Sequence, residues 1–205
     1  MLKIRWEVLK MSKKITDREF QELAIKYNIT LPALKAVVEV ECRGSGFNDD
    51  GTPVILYERH KFYQGLRAIN WITKSNEWFK LYPDLCNPTA GGYGKYSEQH
   101  SNLARAAELN RVVALESCSW GMGQVMGYHW QSLHYESLQV FINAMYKSEY
   151  NQVDAMCRYI VNNNLIRHIQ SKNWAAFAKG YNGVGYKANN YDVKLANAYK
   201  KHGGT

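Results

Sequence analysis

The sequence lacks the features that mark membrane, metal-binding and disulfide-bonded proteins. No run of about 18 consecutive apolar residues occurs, so we expect no membrane-spanning helix and no stable membrane insertion. The four cysteines lie far apart without a C-x-x-C pair, and no two histidines have the spacing of zinc ligands. We therefore expect reduced thiols, no metal site and no cofactor.

The N-terminal segment MLKIRWEVLKMSKK is basic but lacks the apolar core and the small-residue cleavage site of a secretory signal. We expect any export to use another route. Met11 followed by SKKITDREF resembles a natural start, so residues 1–11 are interpreted as an extension, either an upstream start or an expression remnant. Residues 12–205 are then expected to form a single domain, because this length suits one hydrophobic core.

The chain has a formal net charge of +8, which favours an anionic partner. Nucleic acid, an acidic cell-envelope polymer and a membrane surface all satisfy that condition. The basic residues are dispersed, apart from the pairs at 13–14 and 200–201. Charge alone therefore does not choose among these partners.

Helical periodicity recurs along most of the chain. Thr16 and Glu19 have the spacing of a capping box at the start of a first helix, and Thr30 is expected to cap a second. Ser97 is expected to cap a long helix further along. Four later segments also predict helices: ESLQVFINAMYKS, EYNQVDAMCRYIVNN, NWAAFAKGYNG and YDVKLANAYKK.

Two segments depart from this helical pattern. β-Branched and aromatic residues predict a short strand around Val54 to Tyr57. From Trp71 to Tyr96, glycine, proline, asparagine and aromatic residues predict a long surface loop. The expected fold is therefore mainly α, with a small β element.

The stretch KAVVEVECRGSGF places an acidic residue in an apolar helical pattern. Glu41 shares one helical stripe with three apolar residues, Leu34, Val37 and Val38. Glu39 points to nearly the opposite side. Burial and the negative end of a helix both raise the pKa of a carboxyl, as a general acid requires. Alternatively, Glu41 emerges at a frayed helix end and pairs with Arg43 or Arg59.

The stretch SWGMGQVMG combines glycines with one polar side chain, Gln124. The i, i+3, i+4 spacing of Met122, Val125 and Met126 is typical of core packing. Glycines at 121 and 123 would weaken a helix, which indicates that something approaches the backbone closely there. A polymer lying in a cleft would do so.

The stretch FAKGYNGVGYKANNYD has a similar character. Tyr181, Asn182 and Tyr186 combine hydroxyl and amide groups with bare glycine backbone, which suits sugar hydroxyls and N-acetyl groups. The alternative interpretation is a helix C-cap followed by turn residues.

In the order Glu, G-x-x-Q and Y-N-x-G, these stretches resemble the goose-type lysozyme and lytic transglycosylase superfamily. More closely, the chain is similar to the N-acetylmuramidase domain of phage endolysins, over roughly residues 16–202. ECRGSGF matches the catalytic glutamate motif, GMGQV matches G-L-M-Q-[IV], and GYNGVGY matches A-Y-N-x-G-x-x. PVILYERHKFY, SCSWGMGQVMG and YDVKLANAY match the phage family specifically. Cys42 stands where serine is usual, and Gly123 replaces a methionine.

This resemblance implies a lysozyme-like α+β fold with a glycan-binding cleft and no separate cell-wall-binding domain. It implies cleavage of the β-1,4 bond between N-acetylmuramic acid and N-acetylglucosamine in peptidoglycan, with Glu41 as general acid. The substrate-binding residues that it implies are Gln124, Tyr181, Asn182, His60, Ser119 and Tyr186.

Glycoside hydrolysis usually needs a second carboxylate, and Glu58 in the phage-type YERH segment is our candidate. Asp49 and Asp50 lie beside a turn and are expected to be solvated. If no second carboxylate faces the cleft, the 6-hydroxyl of the substrate could attack instead. The protein would then be a lytic transglycosylase that forms 1,6-anhydro products.

The resemblance further implies peptidoglycan glycan strands as the partner, a monomer, and residence in the host cytoplasm until a holin allows access to the periplasm and cell wall. Two other classes stay open. FQELAIKYNITLPALKAVVEV has helix-turn-helix spacing, although its second helix exposes no Arg, Asn or Gln to read bases, so we expect no nucleic-acid partner. A non-catalytic glycan-binding module would not need Glu41 on an apolar stripe.

Overall fold

A computed structural model describes residues 13–42 and 44–205, and the interpreted extension at residues 1–11 lies outside them. The described residues form helices α1 to α10 and strands β1 to β3. In chain order these are α1 (Asp17–Lys26), α2 (Leu31–Glu41), β1 (Ile55–Tyr57), α3 (Arg59–Ala68), α4 (Ile72–Leu81), α5 (Gln99–Glu116), β2 (Cys118–Trp120), β3 (Val125–Met126), α6 (Leu138–Lys147), α7 (Glu149–Asn162), α8 (Ile166–Gln170), α9 (Trp174–Asn182) and α10 (Tyr191–Lys201).

The expected class, mainly α with a small β element, is confirmed. The three strands form an antiparallel sheet in the order β1-β2-β3. In the described part of the chain, no helix is both long and apolar enough to cross a membrane.

The helix starts predicted from the sequence are partly confirmed. Thr16 and Glu19 form the capping box, in which the Glu19 amide donates to Thr16 Oγ1 at 3.3 Å and the Thr16 amide donates to Glu19 Oε2 at 2.8 Å. Thr30 is the N-cap residue of α2, but within the described residues its side chain makes no capping bond. The prediction for Ser97 was wrong, because it lies inside a 3₁₀ turn and Glu98 occupies the N-cap position of α5.

The predicted loop between Trp71 and Tyr96 was wrong in its first part, where helix α4 forms. Only two side chains of α4, Ser75 and Trp78, are buried, so its apolar stripe is narrow. Trp78 stacks on Phe62 of α3, with ring centroids 6.2 Å apart and an angle of 15° between the planes. The docking of α4 on α3, rather than a strong local pattern, therefore accounts for this helix.

The stretch SWGMGQVMG forms a β-hairpin rather than a helix. Ser119 pairs with Met126, and Trp120 pairs with Val125. Of the three residues at helical spacing, only Val125 is buried, whereas Met122 and Met126 are partly exposed. Core packing is therefore confirmed for Val125, and Met122 packs against the core although it is partly exposed, whereas Met126 lies outside the core cluster.

Helix α7 lies in the core with several polar side chains buried along it. One of them, Asp154, accepts hydrogen bonds from Lys26 Nζ at 2.5 Å, Tyr27 Oη at 2.8 Å and Arg158 Nε at 2.8 Å. These charge-assisted bonds offset the desolvation of the carboxylate and tie α1 to α7.

Candidate active site

A cleft of about 530 Å³ opens between the end of α2, the small sheet and the end of α9. Its volume falls in the usual range of ligand sites. Six of the eight predicted site residues line it: Glu41, Glu58, Ser119, Gln124, Tyr181 and Asn182. Segments far apart in the sequence therefore meet at one site.

Glu41 is the last residue of α2, and its side chain is half-buried in the cleft wall. Burial raises the pKa of this carboxyl, while a hydrogen bond from Asn182 Nδ2 to Glu41 Oε1 at 2.9 Å acts in the opposite direction. Burial is the larger of the two effects. This is the environment that a proton donor requires.

The alternative ion pairs of Glu41 receive no support from the described residues. Arg59 instead donates to the carbonyl oxygens of Gly91 at 2.7 Å and Pro83 at 3.0 Å. Arg43 lies outside the residues that the structure describes. Among those that it does describe, no basic side chain forms an ion pair with Glu41.

The residue that follows the glutamate, Cys42, has a neutral thiol. Burial raises the pKa of Cys42 to about 12, and the charge of Glu41 adds to this shift. The substitution of cysteine for the usual serine therefore places no second anion beside Glu41.

Glu58 enters the cleft directly after β1, where it is the N-cap residue of α3. Tyr93 Oη donates a hydrogen bond to Glu58 Oε2 at 3.4 Å, and His60 Nε2 lies 3.6 Å from the same oxygen. Asp49 and Asp50 are exposed, as expected. Glu58 is thus the second carboxylate that the fold brings to the cleft.

His60 does not line the cleft, although it was predicted to bind substrate. Its side chain is only 12% exposed, and within the described residues its Nδ1 atom is buried without a hydrogen-bond partner. Burial lowers the pKa of His60, and the nearby Glu58 partly offsets that shift. The contact with Glu58 therefore makes His60 a neighbour of the second carboxylate rather than a cleft residue.

Gln124 lies in the hairpin turn in a left-handed conformation with φ of 47°. Ser119 Oγ donates to its Oε1 at 2.9 Å, and its Nε2 donates to the carbonyl of Gly121 at 2.8 Å. Both ends of the side-chain amide are therefore held in place on the cleft wall.

At glycines 121 and 123, helix α7 makes the close approach to the backbone that the sequence predicts. A Cβ atom at Gly121 would lie 2.5 Å from Gln152 Cδ, and one at Gly123 would lie 2.7 Å from Met156 Cβ. Gln152 Oε1 also accepts a hydrogen bond from the Met122 amide at 2.9 Å. The turn that carries Gln124 is thus fixed by the interior helix behind it.

Tyr181 lies between two aromatic rings at the base of the cleft. It stacks on Phe177 at a centroid distance of 5.4 Å and meets the edge of Tyr159 at 5.8 Å. Its hydroxyl donates to the carbonyl of Gly123 at 3.4 Å. Burial, and secondarily the charge of Glu41, raises the pKa of Tyr181 well above its ordinary value, so the phenol stays neutral.

The Y-N-x-G stretch combines both interpretations made from the sequence. Asn182 ends α9, and Gly183 follows with φ of 79°, so the stretch is a helix terminus as well as a cleft wall. Tyr186 is buried in the segment Val184–Asn189 and does not line the cleft. The structure therefore separates Tyr186 from the other predicted residues.

The sequence motifs missed several residues that line the cleft: Ser45, Tyr96, Tyr128, His129, Tyr159 and Tyr191. His129 lies between Tyr128, at a ring-centroid distance of 4.4 Å, and Tyr159, at 5.1 Å. The wall of the cleft around His129 is therefore aromatic. Burial lowers the pKa of His129, which favours the neutral imidazole. The GYHW segment was visible in the sequence, but no spacing rule connected it with Tyr159.

No group of three His, Cys, Asp or Glu residues that could hold a metal ion occurs in the described part of the chain. The donors and acceptors of the cleft are carboxyl, amide and hydroxyl groups, together with the imidazole of His129. Such a set suits an uncharged, hydroxyl-rich ligand.

Comparisons with protein families and with solved structures both find proteins that are similar to this chain. The family model for N-acetylmuramidase matches residues 30–203. The crystal structure of Burkholderia AP3 phage endolysin is similar with a TM-score of 0.88 at 39% sequence identity, and the alignment covers 93% of this chain and 72% of that chain. No curated protein matches the chain.

Proposed function

Because the chain belongs to the N-acetylmuramidase family, we propose that it is an endolysin that degrades peptidoglycan by hydrolysing the β-1,4 bond between N-acetylmuramic acid and N-acetylglucosamine. The observation that carries this proposal is the environment of Glu41. Its carboxyl is half-buried in a cleft, its pKa is raised by burial, and an amide hydrogen bond orients it. A non-catalytic glycan-binding module would have no use for a carboxyl in that state.

In the proposed reaction, Glu41 donates its proton to the glycosidic oxygen as the bond breaks. A raised pKa keeps more of the carboxyl protonated near neutral pH, which makes it an effective general acid. Asn182 holds the carboxyl of Glu41 in place by donating a hydrogen bond from its Nδ2 atom to Glu41 Oε1. Gln124, Tyr181 and Ser119 would contact the sugar and its N-acetyl groups.

Glu58 serves as the second carboxylate in this proposal. In a retaining enzyme, with carboxyl groups about 5–5.5 Å apart, it would attack the anomeric carbon directly. In an inverting enzyme, with carboxyl groups about 6.5–9.5 Å apart, it would instead activate a water molecule. Tyr93 and His60 would keep its Oε2 atom oriented in either case.

The partner and the cellular setting follow from this proposal. The net charge of +8 favours an acidic cell-envelope polymer. The protein would act as a monomer on glycan strands, staying in the host cytoplasm until a holin opens the way to the periplasm and cell wall.

The packing of α2 argues against the helix-turn-helix interpretation. This would-be recognition helix packs against α10 along one side and α1 along another. Lys35, the single basic residue of α2, lies with its Nζ atom 2.6 Å from the carboxylate of Asp17. A recognition helix must present a free face to the major groove, and α2 lacks one with base-reading side chains.

Mass spectrometry of the products from purified peptidoglycan tests the proposed reaction. Hydrolysis predicts fragments that end in reducing N-acetylmuramic acid. Fragments with 1,6-anhydro ends would show a lytic transglycosylase instead. An absence of soluble fragments across pH 5 to 8, together with binding to duplex DNA, would overturn the proposal.

A further inference from the structure

A second depression, of about 460 Å³, adjoins the catalytic cleft on the side of α3. Tyr128 borders both spaces. One acidic and one basic side chain, Glu116 and Lys61, lie at its rim. The remaining surface is mostly apolar and comes from α3 and α5, with Gly65, Ala68, Ile69 and Val113 contributing.

The elements that carry the cleft residues continue into this depression. Lys61 lies one helical turn after Glu58, and its backbone amide donates to the Glu58 carbonyl at 2.8 Å. Ser117 of the depression precedes Ser119 of the cleft by two residues. A group attached to a sugar in the cleft could therefore pass Tyr128 and enter the depression without crossing another structural element.

The two charges at the rim do not neutralise each other. Lys61 Nζ lies 5.6 Å from the centre of the Tyr128 ring, and within the described residues it has no ion pair. Glu116 Oε1 accepts a hydrogen bond from Trp130 Nε1 at 3.0 Å. Burial is the main cause of the lowered pKa of His129, and the positive charge of Lys61 is the second cause. The charge of Lys61 therefore acts on a residue of the cleft wall.

We propose that the depression binds the stem peptide carried by the muramic acid residue, an inference that rests on the proposed function. Such a peptide has small methyl side chains, free carboxylates and, with a diamino acid, an ammonium group. Lys61 would bind a carboxylate, Glu116 would bind the ammonium, and the apolar floor would take the methyl groups. The volume suits a peptide of a few small residues.

Direct binding provides the first test. A stem tetrapeptide that contains diaminopimelate is titrated onto the full chain while backbone amide signals are followed by NMR. We expect shifts at Lys61, Gln64 and Ile69, and weaker binding by roughly fivefold in Lys61→Gln, as for a partly exposed ion pair. Lys147→Ala, an exposed lysine on α6, serves as the matched control and should bind as the unaltered protein does. Unchanged spectra, or equal binding by Lys61→Gln, would overturn the proposal.

Cleavage provides the second test, through the ratio of kcat/KM on glycan strands with and without stem peptides. We expect a ratio above one that falls by roughly fivefold in Lys61→Gln and stays constant in Lys147→Ala. If both strands are cleaved equally, the stem-peptide site is rejected while the proposed function stands. If neither strand is cleaved but the peptide still binds as predicted, the function is rejected while the site stands.

Discussion

The two glutamates of helix α2 have the same chemistry and opposite surroundings. Glu39 is exposed on the outer face, where Lys201 Nζ lies 3.0 Å from Oε1 and His202 Nε2 lies 2.8 Å from Oε2. Its hydrogen bond with Lys201 is the main reason that its pKa is lowered. Glu41 faces the cleft, where burial raises its pKa. The side of the helix, and not the residue type, therefore separates a surface ion pair from a candidate proton donor.

The largest expected effect is on turnover in Glu41→Gln. The change keeps the size and hydrogen bonding of the side chain but removes the proton that can be transferred. Turnover on purified peptidoglycan should fall by at least about 10²-fold, while binding to glycan survives. Glu39→Gln is the control from the outer face and should retain turnover. Near-normal turnover in Glu41→Gln would remove the basis of the proposed function.

Glu58→Gln distinguishes hydrolysis, in which Glu58 is the second carboxylate, from the lytic transglycosylase mechanism, in which the substrate supplies the nucleophile. If Glu58 is the second carboxylate, turnover should fall by about 10²-fold or more, because a glutamine can neither attack nor accept a proton. In that case, the unaltered protein should release fragments with reducing ends, which mass spectrometry detects. A mild loss combined with 1,6-anhydro products would instead mean that the substrate supplies the nucleophile.

A smaller effect is expected in Tyr93→Phe, which removes only the hydroxyl that donates to Glu58. One hydrogen bond contributes about 1 kcal/mol net, so turnover should fall by roughly fivefold. Tyr82→Phe, in the same segment, is the matched control. Equal turnover of the two variants would show that Tyr93 does not orient Glu58.

The smallest expected effects are on stability, and their pH dependence should differ between the two glutamates. Ionising Glu41 in the cleft costs folding free energy, so any stability it supplies is present below pH 4.5 and lost as the pH rises through its raised pKa. Glu41→Gln should therefore melt at the same or a higher temperature at pH 7. This advantage should disappear below pH 4.5.

Glu39 should behave in the opposite way, because its pKa is lowered. Its stabilisation is present above pH 4.5 and is lost as the pH falls through the lowered pKa. Glu39→Gln should cost at most about 1 kcal/mol at pH 7, since solvent and salt screen an exposed pair. Thermal melts of both variants from pH 3 to 8 check these signs. Parallel curves would mean that the surroundings of the two carboxylates do not differ.

The sequence by itself predicted those features that depend on short spacings. The capping box of α1, the short strand β1 and the opposite sides of Glu39 and Glu41 all follow from neighbours within about two helical turns. The same holds for the Y-N-x-G stretch at the end of α9. Local backbone geometry decides these features, so a periodic pattern is sufficient to find them.

Tertiary structure alone decided which of these residues share a cleft and what surrounds them. Helix α4 depends on the stacking of Trp78 on Phe62, and Arg59 is held by the carbonyl of Gly91. The glycine at 121 is required by Gln152 of α7, which leaves no room for a Cβ atom. Each of these contacts joins residues that are 16 or more positions apart. Their distances are set by the packing of whole elements, which no spacing along the chain encodes.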